Sequence, residues 1–176
     1  MSYDLGMLIL RLVVGGLMIG HGSQKLFGWF GGHGLAATSA YFGSQLRLRP
    51  AGFWTLLAGL TEAGGGLLLV LGLLSPLGSL GVIAPMLIAI ILVHWGHLWA
   101  IENGIEYDLV LIASALAVAL VGPGAYSLDA AFGIALPEPA TLLIGLVLVI
   151  VGIVVALVTR APVAPATVQQ DTRTAA

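Results

Sequence analysis

The chain contains no cysteine. That absence excludes disulfides, thiolate metal centres and any dithiol electron relay carried by these residues. Charge is almost as scarce. Only 8% of the 176 residues are charged, against roughly a quarter in ordinary soluble domains, so a conventional water-facing surface cannot be built. Six Lys and Arg against eight Asp and Glu give a net charge of -2. No patch can neutralise a run of phosphates, which excludes nucleic acid as a partner.

What fills the chain instead is apolar: 59% of the residues are hydrophobic and the mean hydropathy is +1.09. These residues fall in five runs, at about 5–26, 53–74, 80–99, 107–121 and 141–159, most of them near the roughly 20 residues that cross hydrocarbon. The expected fold is all-α, a polytopic transmembrane helix bundle whose main partner is the lipid bilayer. A four-helix membrane domain is expected at 1–135, an additional C-terminal transmembrane helix at 136–160 and a disordered cytoplasmic tail at 161–176, where Pro, Ala, Thr and Gln dominate. The first run has no basic segment before it and holds Arg11 and His21, so it is expected to stay as a helix and not to be cleaved as a signal peptide.

The connections differ in character. Ser75, Pro76, Leu77, Gly78 and Ser79 read as a tight turn that makes the second and third spans antiparallel neighbours. Residues 28–52 begin with Trp29 and Phe30 and end with Arg47, Leu48, Arg49 and Pro50. A short helix at 35–46 is expected there, lying along the membrane with Leu35, Tyr41, Phe42 and Leu46 in the headgroup region, with a reentrant loop as the competing reading. Lys25, Arg47, Arg49, Arg160 and Arg173 collect on one side of a five-span topology. By the basic-residue rule this places the N-terminus outside and the C-terminus in the cytoplasm of a bacterial inner membrane.

Ionisable groups inside the runs need a partner or a purpose, since a charge at the bilayer centre costs about 2.5 kcal/mol or more. Arg11 lies roughly 9 Å from the outer end of the first span and Glu62 roughly 14 Å from the inner end of the second, at 1.5 Å per residue. In a core about 30 Å thick their depths differ by about 7 Å, so an Arg11–Glu62 ion pair is the expected structural clamp. The alternative makes Glu62 a proton-handling carboxylate flexed at Gly64, Gly65 and Gly66, glycines that also permit close helix packing.

His21 and Lys25 are four apart on the first span, and His94 and His97 three apart on the third, so each pair is expected to share a helix face at the inner end. Three readings of that cluster stay open: a structural network, a site for a quinone or other small polar headgroup, and a metal or haem held by His21, His94 and His97. Glu102, Glu106 and Asp108 fall on the same side and balance Lys25, Arg47 and Arg49, which suits proton transfer to a bound quinone and a solvated rim equally, and Trp95 and Trp99 read as interfacial anchors.

Arg11-Leu12, the run from His21 through Lys25, Trp29 and Gly31-Gly32 to Gly34, Glu62 with its glycines, Leu71-Gly72-Leu73, Gly104-Ile105-Glu106-Tyr107 and Gly122-Pro123-Gly124 through Asp129 together resemble the DoxX family of small bacterial membrane proteins. The resemblance covers most of residues 5–130. It implies a four-helix DoxX-like bundle in the inner membrane, associated with redox systems such as quinone-linked oxidation and defence against quinones or oxidants, and with soluble redox enzymes or other membrane subunits as partners. The fifth span departs from that pattern.

Two classes of function follow. In the first, the protein is a membrane component of a redox or oxidative-stress system, a subunit of an oxidoreductase complex with no self-sufficient catalytic motif of its own. Arg11, His21, Lys25, Glu62 and His94 then form a polar ligand site inside the bundle, and Glu62, His21 and Lys25 are the proton-handling candidates. In the second it is a proton-coupled small-solute transporter or exporter using Glu62, although no inverted repeat is visible. A non-catalytic scaffold for a soluble redox enzyme is the third alternative.

Overall fold

A backbone in hydrocarbon has to satisfy its own hydrogen bonds, which makes long apolar runs helical. The computed structural model describes residues 2–162, and among them there is no strand. Five long helices appear where the five runs lie: α1 (Ser2–Phe27), α3 (Ala51–Leu71), α4 (Ser75–Ala89), α5 (Glu106–Val121) and α7 (Ala140–Val158). Two shorter ones join them, α2 (Gly34–Ser44) and α6 (Leu128–Phe132). Four segments are long and apolar enough to cross a membrane: Ser2–Phe27, Ala51–Leu71, Ser75–His94 and Ala140–Val158. At 16 residues, α5 extends about 24 Å and buries Leu111, Ala115 and Val118 in the core with Met18, Leu69 and Val82. The tail expected to be disordered lies, from residue 163 onward, outside the described residues.

The third span starts five residues earlier than its sequence suggests. Pro76 sits in the first turn of α4, where its missing N–H costs nothing and its fixed φ suits a helix start. The residues expected to form the turn, Ser75–Ser79, are therefore helix, and the chain reverses over Gly72, Leu73 and Leu74, with Gly72 left-handed at φ 59°. The other end shifts in step. After a π-helical turn at Ile90–His94 the helix stops, so Trp95 to Trp99 lie in a connection and not in the span.

Glycine sets the distance between α1 and α3. A Cβ on Gly15 would meet the Gly66 carbonyl oxygen at 2.6 Å, and one on Gly22 would meet the Gly59 carbonyl oxygen at 2.6 Å. Seven-residue spacing on both antiparallel helices lets their backbones touch in two places. The three consecutive glycines of α3 divide between faces: Gly66 meets α1, Gly65 lies against Gly81 of α4, and Gly64 has nothing near it. Their use is packing.

Residues Phe42 and Leu46 do not face outward as expected for headgroup contact. They are buried with Leu48 and with Ala156 of α7, while Leu35 and Tyr41 stay exposed. The reason is α7, which runs along α4 and returns to the α2–α3 connection. There Arg160 Nε donates to the Leu46 carbonyl at 2.9 Å, and the Ala161 amide donates to the Arg47 carbonyl at 2.8 Å. The C-terminal end of α7 thus lies at the same end of the bundle as Lys25, opposite the N-terminus.

Candidate functional site

At the N-terminal end of the bundle the expected Arg11–Glu62 pair does not form. The Arg11 side chain is 1% exposed and spends its donors on carbonyls. Nε reaches Leu69 at 3.1 Å, and one terminal nitrogen reaches Val70 at 3.2 Å and Tyr126 at 2.8 Å. The other terminal nitrogen bonds the Pro123 carbonyl. A planar fork of five N–H groups suits such a cluster of acceptors. The carbonyls are available because α3 has just ended at Val70–Leu71 and the 122–127 loop is irregular, whereas Glu62 lies mid-helix beside Lys25. Gly72 must stay a glycine here, since a Cβ would meet Arg11 Cζ at 2.7 Å. Asp129 completes the knot, accepting from the amides of Leu74 at 2.8 Å and Ser75 at 2.9 Å and so capping α4. Arg11 therefore ties three segments together and is not among the residues that line the cavity at the other end.

His21, Lys25, Glu62, His94, Tyr107 and Asp108 converge at the opposite end on a cavity of about 590 Å³. One wall is polar. Lys25 Nζ meets Glu62 Oε2 at 2.6 Å, the Glu62 side chain being 4% exposed. His94 Nδ1 meets Asp108 Oδ2 at 2.5 Å, and Tyr107 Oη lies 3.4 Å from His21 Nε2. The other walls are apolar, formed by residues such as Trp54, Leu57 and Ala58 of α3, Pro85 and Met86 of α4, and Gly152 and Ile153 of α7. The π-helical turn that ends at His94 adds a residue to the last turn of α4, a feature frequent at functional sites.

Of the ligand residues expected from sequence, His21, Lys25, Glu62 and His94 do line one cavity. The expected metal set of His21, His94 and His97 is not assembled. His97 is off the helix and exposed, 3.6 Å from Glu102, because α4 ends at His94. Among the described residues no group of three or more His, Asp or Glu could hold a metal ion. Of the two readings of Asp108, a proton-transfer cluster or a solvated rim, the rim does not hold, since Asp108 is 2% exposed and bonded to His94. Its place inside α5, two residues past Glu106, turns it into the bundle. Tyr107 and Trp54 also line the cavity and were not singled out by spacing; the signal available was their neighbour in sequence or space, Asp108, an acidic residue at the edge of an apolar run.

The arrangement defines a class: a multi-pass helical membrane protein with an intrabundle cavity that is polar at one end and greasy over the rest. A family model named DoxX matches residues 6–95, a little over half of the chain, and the chain belongs to the DoxX family. The match runs from α1 to the end of α4. It includes Arg11, His21, Lys25, Glu62 and His94, and it stops before Tyr107, Asp108 and α7. No curated protein and no solved structure matches the chain.

Proposed function

We propose that this protein is a membrane component of a redox or oxidative-stress system and that its cavity binds a quinone headgroup and handles the protons of its reduction. The observation that supports this most is the pairing of two acid–base couples, Lys25–Glu62 and His94–Asp108, on one wall of an otherwise apolar cavity. Ligand sites are commonly concave, mostly apolar and about 300–1,000 Å³, with a few converging polar groups. Such a site suits an aromatic ring with two carbonyls at its edge. Lys25 and Tyr107 are donors for a carbonyl oxygen, and the two couples hold exchangeable protons within reach of it.

A quinone becomes a quinol by taking up two electrons and two protons. In this reading the chain supplies protons and position, while the electrons come from a soluble redox enzyme docked at the membrane, since the chain has no cysteine to pass them. The same reading places the protein in a bacterial inner membrane with its N-terminus outside. Lys25, Arg47, Arg49 and Arg160 all gather at the end that would then be cytoplasmic.

Trp54 lines the cavity and offers a test. In a variant keeping Trp54 alone, with Trp29, Trp95 and Trp99 changed to Phe, a short-chain benzoquinone should quench fluorescence saturably in lipid nanodiscs. Changing Lys25→Met and Glu62→Leu together should weaken binding about tenfold, which is about 1.4 kcal/mol. The variant His94→Gln provides a second readout. Quenching that rises without saturation, equally in all variants, overturns the reading.

A further inference from the structure

The cavity is larger than a headgroup requires. A cavity of about 150 Å³ is enough for a benzene-sized ring, and this one holds about 590 Å³, roughly four times as much. The excess volume is not polar. It extends away from Lys25 and Glu62 between α3, α4 and α7, and its far wall is made by Leu148, Val149, Gly152, Ile153 and Ala156.

That wall comes from a helix with an unusual attachment. Of its residues, Leu142 and Ala156 are buried. It is held along α4, where Leu142 packs with Leu80 and Ala119, and at its C-terminal end by Arg160 and Ala161. Between those fixings, across from α3, it borders the cavity. Five lining residues are exposed; Tyr41, Val93 and Tyr107 lie near the ends of their helices, while one on α3 and one on α7 lie deeper. Leu57 of α3 is 43% exposed and Leu148 of α7 is 65% exposed. Leu57 lies about 9 Å along α3 from Ala51 and Leu148 about 15 Å along α7 from Val158, at 1.5 Å per residue. Both depths fall within a hydrocarbon core about 30 Å thick, so lipid would lie outside these two residues in a membrane.

We infer that the gap between α3 and α7 is a lateral portal through which the ligand enters from the bilayer, and that α7 holds the ligand's long apolar chain while its headgroup rests at Lys25–Glu62. The inference rests on the headgroup reading above and adds the ligand class: a membrane-dissolved molecule with a polyisoprenoid or similar chain, as opposed to a water-soluble one. Gly152 fits this role. A Cβ there would meet nothing within 4 Å, so no packing contact requires the glycine, and its absent side chain leaves room beside Leu148 and Ile153.

The test compares two probes on one protein. A photoreactive short-chain benzoquinone reports headgroup binding, and a long-chain isoprenoid quinone competes with it in nanodiscs. Gly152→Phe and Leu148→Phe fill the portal from α7. Gly64→Phe is the control, placed on an exposed face of α3 with nothing near it. The expected result is that both portal variants weaken the long-chain competitor at least tenfold more than they weaken short-chain labelling, and differ in this from the control. Equal effects on the two probes, or none on either, overturn the portal while leaving the headgroup site standing. Failure of the wild-type protein to bind either probe removes both proposals.

Discussion

Replacing Arg11 by Met should unfold the N-terminal end of the bundle without touching the cavity. The guanidinium donates to the carbonyls of Leu69, Val70, Pro123 and Tyr126, and the side chain is almost fully enclosed. Polar contacts between membrane helices average about 0.6 kcal/mol in double-mutant cycles, whereas hydrogen bonds to charged groups reach about 1.5 kcal/mol or more. Four such bonds put the cost between about 2 and 6 kcal/mol, measured as the change in unfolding free energy in mixed detergent and SDS micelles. Arg11→Lys should recover part of it, since an ammonium lacks the planar fork that spans several acceptors. Amide exchange should quicken most over residues 122–130 and at Leu73–Ser75, the segments the guanidinium joins. Benzoquinone affinity should stay within about threefold of wild type. A loss below about 1 kcal/mol, or a loss of quinone binding in a variant that remains folded, would refute the assignment of Arg11 as a clamp.

Three further outcomes follow from the packing. Gly66→Ala drives a Cβ to 2.6 Å from the Gly15 carbonyl oxygen, so it should cost about 1–3 kcal/mol. Gly64→Ala, with open space around it, should be neutral or stabilising in the same unfolding assay. Asp129→Ala removes both acceptors at the start of α4 and should cost about 1–2 kcal/mol, with faster exchange at the Leu74 and Ser75 amides. Lys25→Met leaves the enclosed Glu62 carboxylate without its partner and should cost about 3 kcal/mol, while Lys25→Met with Glu62→Leu should be less destabilised than that single change. A double variant as unstable as the sum of its singles would show that the pair carries no coupling.

The five long helices were legible because hydrocarbon length and apolar runs are local properties of the chain. The similar depth of His21 and His94 follows from counting residues along helices of known rise, whereas the same counting matched Glu62 to Arg11. The pairing of those groups was not legible. Arg11 and Glu62 are compatible in depth, but depth says nothing of azimuth, and Lys25 reaches Glu62 from the neighbouring α1 face. Arg11 also had acceptors that no residue type announces, namely main-chain carbonyls exposed where α3 ends and in the 122–127 loop. A second error came from reading Pro76 as a turn residue when it begins a helix. That one shift of α4 removed His97 from the cluster and brought His94 opposite Asp108. The inward turn of Phe42 and Leu46 depends on α7, whose return to the α2–α3 connection is a long-range contact with no local signature.

The account depends most on the cavity beside Lys25–Glu62 being the place where a quinone ring binds. The direct measurement is photolabelling of the wild-type protein in nanodiscs with an azido-benzoquinone, followed by peptide mapping. Label concentrated on cavity-lining residues of α3 and α4, between Trp54 and Glu62 and between Ala84 and His94, and displaced by unlabelled quinone, is the predicted result. Label spread over lipid-facing positions such as Leu60, Leu67 and Val151, and unaffected by competitor, would contradict it.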